Sequence, residues 1–144
     1  MLDAYRDLID DLLSTPSDIR ELVAASGESG TSPEVKGLIA QIRDRDRSIL
    51  ERAQKMTREE LPYLPAIRSN APNENEELSA LLDDMEVARG DLVSLLINLS
   101  LKDWTRQAVD ETGSEITLAD EIEQHVEFDE RLRRTLRESV SSSQ

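Results

Sequence analysis

The sequence predicts an all-α fold, a four-helix bundle, and three observations lead to that prediction. Apolar residues recur at spacings of three and four along most of the chain, as they do on the buried face of an amphipathic helix. No stretch alternates apolar and polar residues as a half-buried strand would, and no repeat of fixed period is present. The 144 residues fit one domain, which we assign to residues 1–140, followed by a frayed tail at 141–144.

The composition limits the chemistry that this chain can perform. It has no Cys and a single His, His125, which excludes disulfides, thiolate sites and a multi-histidine metal site within one chain. The net charge of −14 repels phosphate backbones and anionic lipid, so we expect no nucleic-acid partner. No apolar run is long enough for a membrane span and the first residues do not resemble a signal peptide, so we expect a cytoplasmic protein without a membrane partner.

The first helix is expected to kink or to break briefly at Pro16. Residues 2–13 carry a helical apolar stripe, and the sequence Thr-Pro-Ser-Asp at 15–18 is typical of a capping box with Pro at the first helical position. A second helical piece is predicted over residues 19–25, with a loop at 26–31.

The second helix begins at Ser32-Pro33 and carries one acid close to its apolar seam. That acid, Asp46, lies midway between Ile42 and Ile49. Charged residues near a core are usually paired, so we expect an arginine or a backbone cap as its partner. A role in ligand binding is the second interpretation.

A long crossover from about residue 57 to 74 contains three prolines and joins the second helix to the third. We expect one short turn at residues 57–60, and Tyr63 and Leu64 could close one end of the bundle. The third helix is predicted over residues 76–99. Residues 92–101 are apolar almost all round, which predicts burial on more than one face, either inside the bundle or against another subunit.

The last segment holds the only Trp and the only His of the chain. Trp104 is predicted to plug the core between helix ends, and ligand stacking is the alternative. Residues 112–114 form a turn, and the sequence Thr-Leu-Ala-Asp at 117–120 is a second capping box that opens the last helix. Within that helix His125 stands four residues before Asp129, so the two side chains could pair.

Several of these motifs together resemble the DinB-like superfamily over nearly the whole chain. Its members often have D-W-x-R, a Gly-containing turn and T-L-x-E before the last helix, and W-S-x-x-E-V-x-x-H-L-x-D at the second. The matching residues here are Ser32-Pro33, Gln41 to Asp46, Leu64-Pro65, Arg89, Asp103-Trp104-Thr105-Arg106, Gly113 and Thr117 to Asp120. The resemblance implies an up-down bundle with a long crossover between the second and third helices, and many relatives dimerise.

Relatives of this kind bind a divalent metal through three His, and some are thiol-dependent transferases or isomerases. In an ungapped register this chain has Gln41, Phe128 and Leu132 at those three positions. A one-residue slip on the last helix would instead align His125, Asp129 and Arg133. We prefer the ungapped register, and in neither is the triad intact, because Phe and Leu cannot bind a cation.

Two functions remain open at this stage. The first is a homodimeric binding or interaction protein that has lost the metal site, with no cofactor and with room for a small-molecule ligand. The alternative is a transferase or hydrolase of the thiol-dependent type, with a remodelled site around His125 and Asp129 that holds Ni²⁺ or Zn²⁺. The candidate site residues are Gln41, Asp44, Asp46, Tyr63, Arg89, Trp104, His125, Phe128, Asp129 and Leu132.

Overall fold

The computed structural model describes residues 3–27, 32–67 and 76–142, and in this part of the chain four long helices form a bundle. This confirms the predicted fold class. The elements in chain order are α1 (Asp3–Ala25), α2 (Pro33–Arg58), α3 (Leu78–Ile97), α4 (Leu101–Trp104), β1 (Gln107–Val109), β2 (Glu115–Thr117) and α5 (Leu118–Ser142). None of the helices in the described ranges combines the length and the apolar character that a membrane span needs.

Each long helix packs mainly against two others, α1 and α2 both lying between α3 and α5. The helices α1 and α5 run in the same direction, because Thr15 contacts Asp129 while Asp18, further along α1, contacts Arg133. Consecutive helices of a bundle joined by short loops are normally antiparallel neighbours. Here α1 and α2 instead lie across the bundle from each other.

The long crossover explains why α2 and α3 also run in the same direction. Arg43 lies 3.9 Å from Asp84, and Asp46, further along α2, lies 3.0 Å from Arg89, further along α3. Parallel neighbours need a connection that returns the chain to the starting end, and residues 59–77 provide it. The order of directions is therefore up, down, down, up.

The sequence predicts a kink or short break at Pro16, and the break is wrong, because α1 continues through it. Proline has no N–H, so the carbonyl of Leu12, four residues earlier, loses its usual helical partner. The Nη1 group of Arg89 donates to that carbonyl at 2.8 Å. Thr15, predicted as a cap, instead donates its hydroxyl to Asp129 at 2.9 Å. Hydrogen bonds to α3 and α5 therefore satisfy the polar groups of this turn, and the turn stays helical.

A small antiparallel hairpin, β1 with β2, is the second departure from the predicted all-helical pattern. Each strand has three residues, too few for an alternation to be visible in the sequence. Its turn is held by Asp110, whose carboxylate accepts from two backbone N–H groups, and by Gly113 at φ +82°. The crossover adds to the hairpin at Val109, whose carbonyl accepts from the N–H of Leu64 at 2.8 Å and whose N–H donates to the carbonyl of Pro62 at 2.9 Å.

The predicted helix starts at Ser32 and Thr117 are confirmed. Ser32 accepts from the backbone N–H of Val35 at 3.2 Å. Thr117 and Asp120 form a reciprocal capping box at 3.0 and 3.1 Å. The turn expected at 57–60 is the end of α2, which extends to Arg58. Most of the predicted loop at 26–31, the last proline of the crossover, and residues 143–144 of the tail lie outside the described residues.

The core consists of two apolar clusters, one towards each end of the bundle. The first contains Ile9, Leu12, Ile49, Ala53, Met56, Leu64, Leu92, Val93, Leu96, Trp104, Ala108, Leu118, Ile122 and Val126. The second contains Ile19, Val23, Val35, Ile39, Ala40, Ile42, Leu81, Leu82, Met85, Leu132, Leu136 and Val140. Every long helix contributes to both clusters, and on each helix a buried polar side chain lies between them: Thr15, Asp46, Arg89 or Asp129.

Candidate functional site: a buried polar layer and two neighbouring pockets

A layer of polar side chains separates the two apolar clusters. It consists of Thr15 from α1, Asp46 from α2, Arg89 from α3, and His125 and Asp129 from α5, and none is more than 2% exposed. Burying charges is costly unless they are paired and hydrogen-bonded. The geometry of the layer meets that requirement at nearly every atom.

Arg89 is the centre of the polar layer. Its Nη1 and Nη2 groups donate to the two carboxylate oxygens of Asp129 at 2.6 and 2.8 Å, a bidentate pair. Its Nε donates to Oδ1 of Asp46 at 3.0 Å. Burial favours the neutral form, but the hydrogen bonds and negative charges of Asp129 and Asp46 outweigh it and raise the pKa of Arg89. Arg89 therefore stays charged and ties α3 to α2 and α5.

His125 bonds to Asp46 rather than to Asp129, the partner that its spacing suggested. Its Nε2 lies 2.6 Å from Oδ1 of Asp46, and its Nδ1 lies 3.2 Å from Nε of Arg45. Arg45 can only donate, so Nδ1 accepts and the ring proton is assigned to Nε2, which donates to Asp46. The imidazole in this arrangement is neutral and fully enclosed.

One atom of the layer has no hydrogen-bond partner. In the described ranges Oδ2 of Asp46 is the buried side-chain oxygen or nitrogen without one. Arg45, half-buried directly outside His125, donates to that ring and forms no ion pair with Asp46 or Asp129.

The polar layer does not fit a divalent metal. Among the residues that the structure describes, no group of three or more His, Cys, Asp or Glu could hold a metal ion. The guanidinium of Arg89 contacts both Asp46 and Asp129, and so takes the position that a cation would need. A metal bound to His125 and Asp129 would have to displace that charge, and the other nitrogen of the ring already accepts from Arg45.

A surface pocket between α2 and α5 brings together Gln41, Phe128 and Leu132, the residues aligned with the three His of the DinB-like pattern. Its volume is about 300 Å³. Its lining residues are Leu38, Gln41, Phe128, Arg131, Leu132 and Thr135. We call it the Gln41 pocket. It is open and partly apolar, and its polar lining consists of one amide, one hydroxyl and one guanidinium. Apolar side chains therefore do not fill this space.

A second pocket lies where the start of the crossover and the hairpin meet α2 and α5. Its volume is about 230 Å³, and we call it the Arg45 cavity. Its lining residues are Arg45, Arg52, Ala66, Ile67, Asp110, Glu111, Ile116, Glu121 and Gln124. Arg52 and Glu121 form a bidentate ion pair there, at 2.7 and 3.1 Å. Arg45 also lies over the ring of Phe128, 4.5 Å from its centroid, so it separates the two pockets.

Comparison with known proteins gives a match by structure. No family model matches the chain, and no curated protein matches its sequence. YfiT from Bacillus subtilis, described as a probable metal-dependent hydrolase with an unusual four-helix bundle topology, superimposes with a TM-score of 0.79. The match covers 99% of this chain and 90% of that chain, at 18% sequence identity.

The chain has the DinB-like fold. At this level of identity the match concerns the arrangement of the helices and does not carry an activity. The DinB-like bundle nevertheless agrees with the motifs at the capping box of α5 and at the start of α2. It also explains the crossover, which an up-down-down-up order requires.

The fold brings seven of the ten candidate residues together in two groups. Asp46, Arg89, His125 and Asp129 meet in the polar layer, while Gln41, Phe128 and Leu132 meet in the pocket beside it. Three candidates lie elsewhere. Asp44 pairs with Arg43 at 3.1 Å on the surface of α2, and the Tyr63 side chain is 56% exposed. Trp104 is 2% exposed and stacks on Tyr5 at 4.4 Å between centroids, so its predicted core role is confirmed.

Sequence reasoning missed Thr15 and Arg45, which both contact the buried groups. The sequence favours Thr15 as a cap because Pro16 follows it. Arg45 was one of three alternating arginines, and nothing in that run distinguishes it from Arg47. A helical projection from Asp46 would have placed Arg45 beside the apolar seam, and Pro16 was a usable signal of an unsatisfied carbonyl.

Proposed function

We propose that this chain is a cytoplasmic binding protein of the DinB-like fold that functions without a divalent metal, and that the Gln41 pocket is its ligand site. The observation that carries the proposal is the chemistry of that pocket. Gln41, Phe128 and Leu132 line one opening between α2 and α5. In the ungapped register these are the three positions where relatives have His, and two of them here are hydrocarbon.

The pocket suits a small organic ligand better than a cation. Phe128 and Leu132 offer carbon surface, Gln41 offers an amide donor and acceptor, and Thr135 offers a hydroxyl. Arg131 adds a positive charge that opposes cation binding. A volume of about 300 Å³ is at the lower end of the range for small-molecule sites.

Metal titration with a designed gain-of-function variant tests the proposal. Thermal unfolding of the natural protein should not change with Ni²⁺ or Zn²⁺. The triple variant Q41H/F128H/L132H should become metal-stabilised, because two His at a spacing of four on α5 face the same pocket as Gln41 on α2. Metal at about 100 times its Kd would stabilise that variant by about 2.7 kcal/mol.

The matched control moves the two α5 histidines by two residues. The variant Q41H/E130H/R134H carries the same number of histidines at exposed positions that do not line the Gln41 pocket, and it should gain no comparable stabilisation. A stoichiometric metal shift in the natural protein that disappears in His125→Gln would overturn the metal-free proposal. Equal metal binding by both triple variants would overturn the assignment of the pocket to the ancestral register.

A second candidate is an enzyme that works through His125. The observation in its favour is the 2.6 Å contact between His125 and Asp46, which fixes the ring as a carboxylate fixes a general base. Access opposes it, because the ring is fully buried and Arg45 occupies Nδ1. We expect no thiol transfer or ester hydrolysis above background. Turnover that is abolished by His125→Gln and increased by Arg45→Gln would favour this candidate instead.

We also propose that two copies associate through the end of α3. Ile97 and Leu101 are 50% and 52% exposed within a run whose other side is buried in the core. Sedimentation velocity should give a dimer, and Ile97→Glu with Leu101→Glu should give a monomer. Val87→Glu is the control, because Val87 is 63% exposed on the same helix but far from that end. A monomer at high concentration would refute the association.

A further inference from the structure

Arg45 differs from the other arginines at the helix interfaces in having no carboxylate partner in the part of the chain that is described. Arg43, Arg52, Arg89 and Arg133 each form an ion pair there. Arg45 instead donates through Nε to a neutral imidazole nitrogen and lies on an aromatic ring. Its half-buried charge is therefore held in place by contacts that do not neutralise it.

The terminal nitrogens of Arg45 remain available. Its Nε donates to His125, which leaves Nη1 and Nη2 for another acceptor. Among the described residues, Oδ2 of Asp46 is the fully buried side-chain oxygen or nitrogen that has no hydrogen-bond partner. Nη1 and Nη2 of Arg45 are therefore not fully buried, and they reach accessible space. That space is the Arg45 cavity, which the side chain lines. Burial lowers the pKa of Arg45, which agrees with a guanidinium partly withdrawn from water.

The remaining walls of the cavity limit what can bind. Ala66, Ile67 and Ile116 provide a short apolar surface. Asp110 and Glu111 also line the cavity, and their negative charges oppose anions, dianions more strongly than monoanions. The charge of Arg52 is already matched by Glu121. One unmatched guanidinium thus faces a cavity of about 230 Å³, which is smaller than the usual site for a drug-sized ligand.

We propose that the Arg45 cavity binds a short-chain monocarboxylate. The carboxylate accepts from Nη1 and Nη2 of Arg45 in a bidentate pair, and the alkyl chain packs against Ile67 and Ile116. The ligand supplies the direct carboxylate partner that Arg45 lacks among the described residues. This site is separate from the Gln41 pocket, on the other side of Arg45, so its existence does not depend on the function proposed above.

Calorimetric titration with sodium butanoate tests the site, with chemical shifts of backbone amides around the cavity as a second readout. We expect 1:1 binding at millimolar concentration. Arg45→Gln should weaken it by about tenfold or more, the loss of a charge-assisted pair. Arg45→Lys keeps the charge without the planar fork and should weaken it less. Ile116→Ser should weaken butanoate more than acetate, because only the longer chain reaches that wall.

The control variant is Arg47→Gln, which removes the same charge from an exposed side chain two residues along α2. It should leave binding unchanged. Equal weakening by Arg47→Gln, equal binding of butanoate and butanamide, or tighter binding of succinate or inorganic phosphate would each overturn the proposal. Absence of any butanoate binding at about 50 mM would overturn it as well. If Arg45→Gln does not fold, the Arg45→Lys and Ile116→Ser variants still decide, since both keep the charge of Arg45 in place.

Discussion

Replacing Arg89 by Met is the most demanding test of the buried polar layer. Met has a similar length and fills similar space, so the change mainly removes charge and hydrogen bonds. Two carboxylates, Asp46 and Asp129, would lose three donated hydrogen bonds at 2.6 to 3.0 Å, and the carbonyl of Leu12 would lose a fourth at 2.8 Å. Both carboxylates would remain buried without those partners.

The expected loss is about 3–5 kcal/mol of unfolding free energy, the usual cost of removing one partner from a buried ion pair. A 144-residue domain of ordinary stability has roughly 7–22 kcal/mol, so the variant should fold and remain measurable. Its melting temperature should fall by roughly 6–20 °C. Urea unfolding, followed by circular dichroism and by the fluorescence of buried Trp104, gives the free energy with two independent probes.

Two further variants make the result interpretable. Arg89→Lys keeps a positive charge but not the fork that grips Asp129, so its loss should be smaller than that of the Met variant. Arg47→Met changes an arginine whose side chain is 56% exposed and should cost less than about 0.5 kcal/mol. If Arg89→Met cost less than about 1 kcal/mol, the layer would not be the rigid ion network described above, and water or a shifted helix would have to reach the carboxylates.

Three other predictions concern single groups. Thr15→Val removes the hydroxyl that donates to Asp129 and should cost about 1–2 kcal/mol in urea unfolding. Pro16→Ala should stabilise the Arg89→Met variant more than the natural protein, by about 1 kcal/mol in a double-mutant cycle. The reason is that the introduced alanine has an N–H that can donate to the carbonyl of Leu12, which no longer accepts from Arg89. Additivity within about 0.4 kcal/mol would refute this. Asp103 closes a capping box at the start of α4 by accepting from the backbone N–H of Ser100 at 3.1 Å. This hydrogen bond is the main cause that lowers the pKa of Asp103 below 3.8, so its stabilisation is present above pH 3.8 and is lost as the pH falls through the lowered pKa. Asp103→Asn should therefore cost about 1 kcal/mol at neutral pH, and the gap between the two unfolding curves should close below about pH 3.8.

The long helices and their starts could be predicted because each depends on local chemistry. The cap at Ser32 and the capping box at Thr117 and Asp120 are contained within four residues, and the apolar stripes follow the helical period. Their order, with one long crossover, matched the DinB-like pattern. Identification of the fold therefore required no long-range contact to be known.

The polar layer could not be assembled from the sequence because its partners are far apart along the chain. Asp46 was recognised as an acid near a core, but its partners Arg89 and His125 stand 43 and 79 residues away. The hairpin was missed for a similar reason. Its strands have three residues each, and they are stabilised by backbone bonds to the crossover at Leu64 rather than by their own alternation.

Pro16 explains why local and long-range signals conflicted. A proline in a helix removes one N–H bond, and local rules then predict a break. In this bundle the carbonyl that Pro16 leaves free faces α3, where Arg89 donates to it. The hydrogen bond from the buried guanidinium of Arg89 thereby replaces the helical hydrogen bond that Pro16 cannot donate. Pro16 and Arg89 are thus linked through the carbonyl of Leu12. This hydrogen bond fixes the axial position of α1 relative to α3, at the level where Arg89 also binds Asp46 and Asp129.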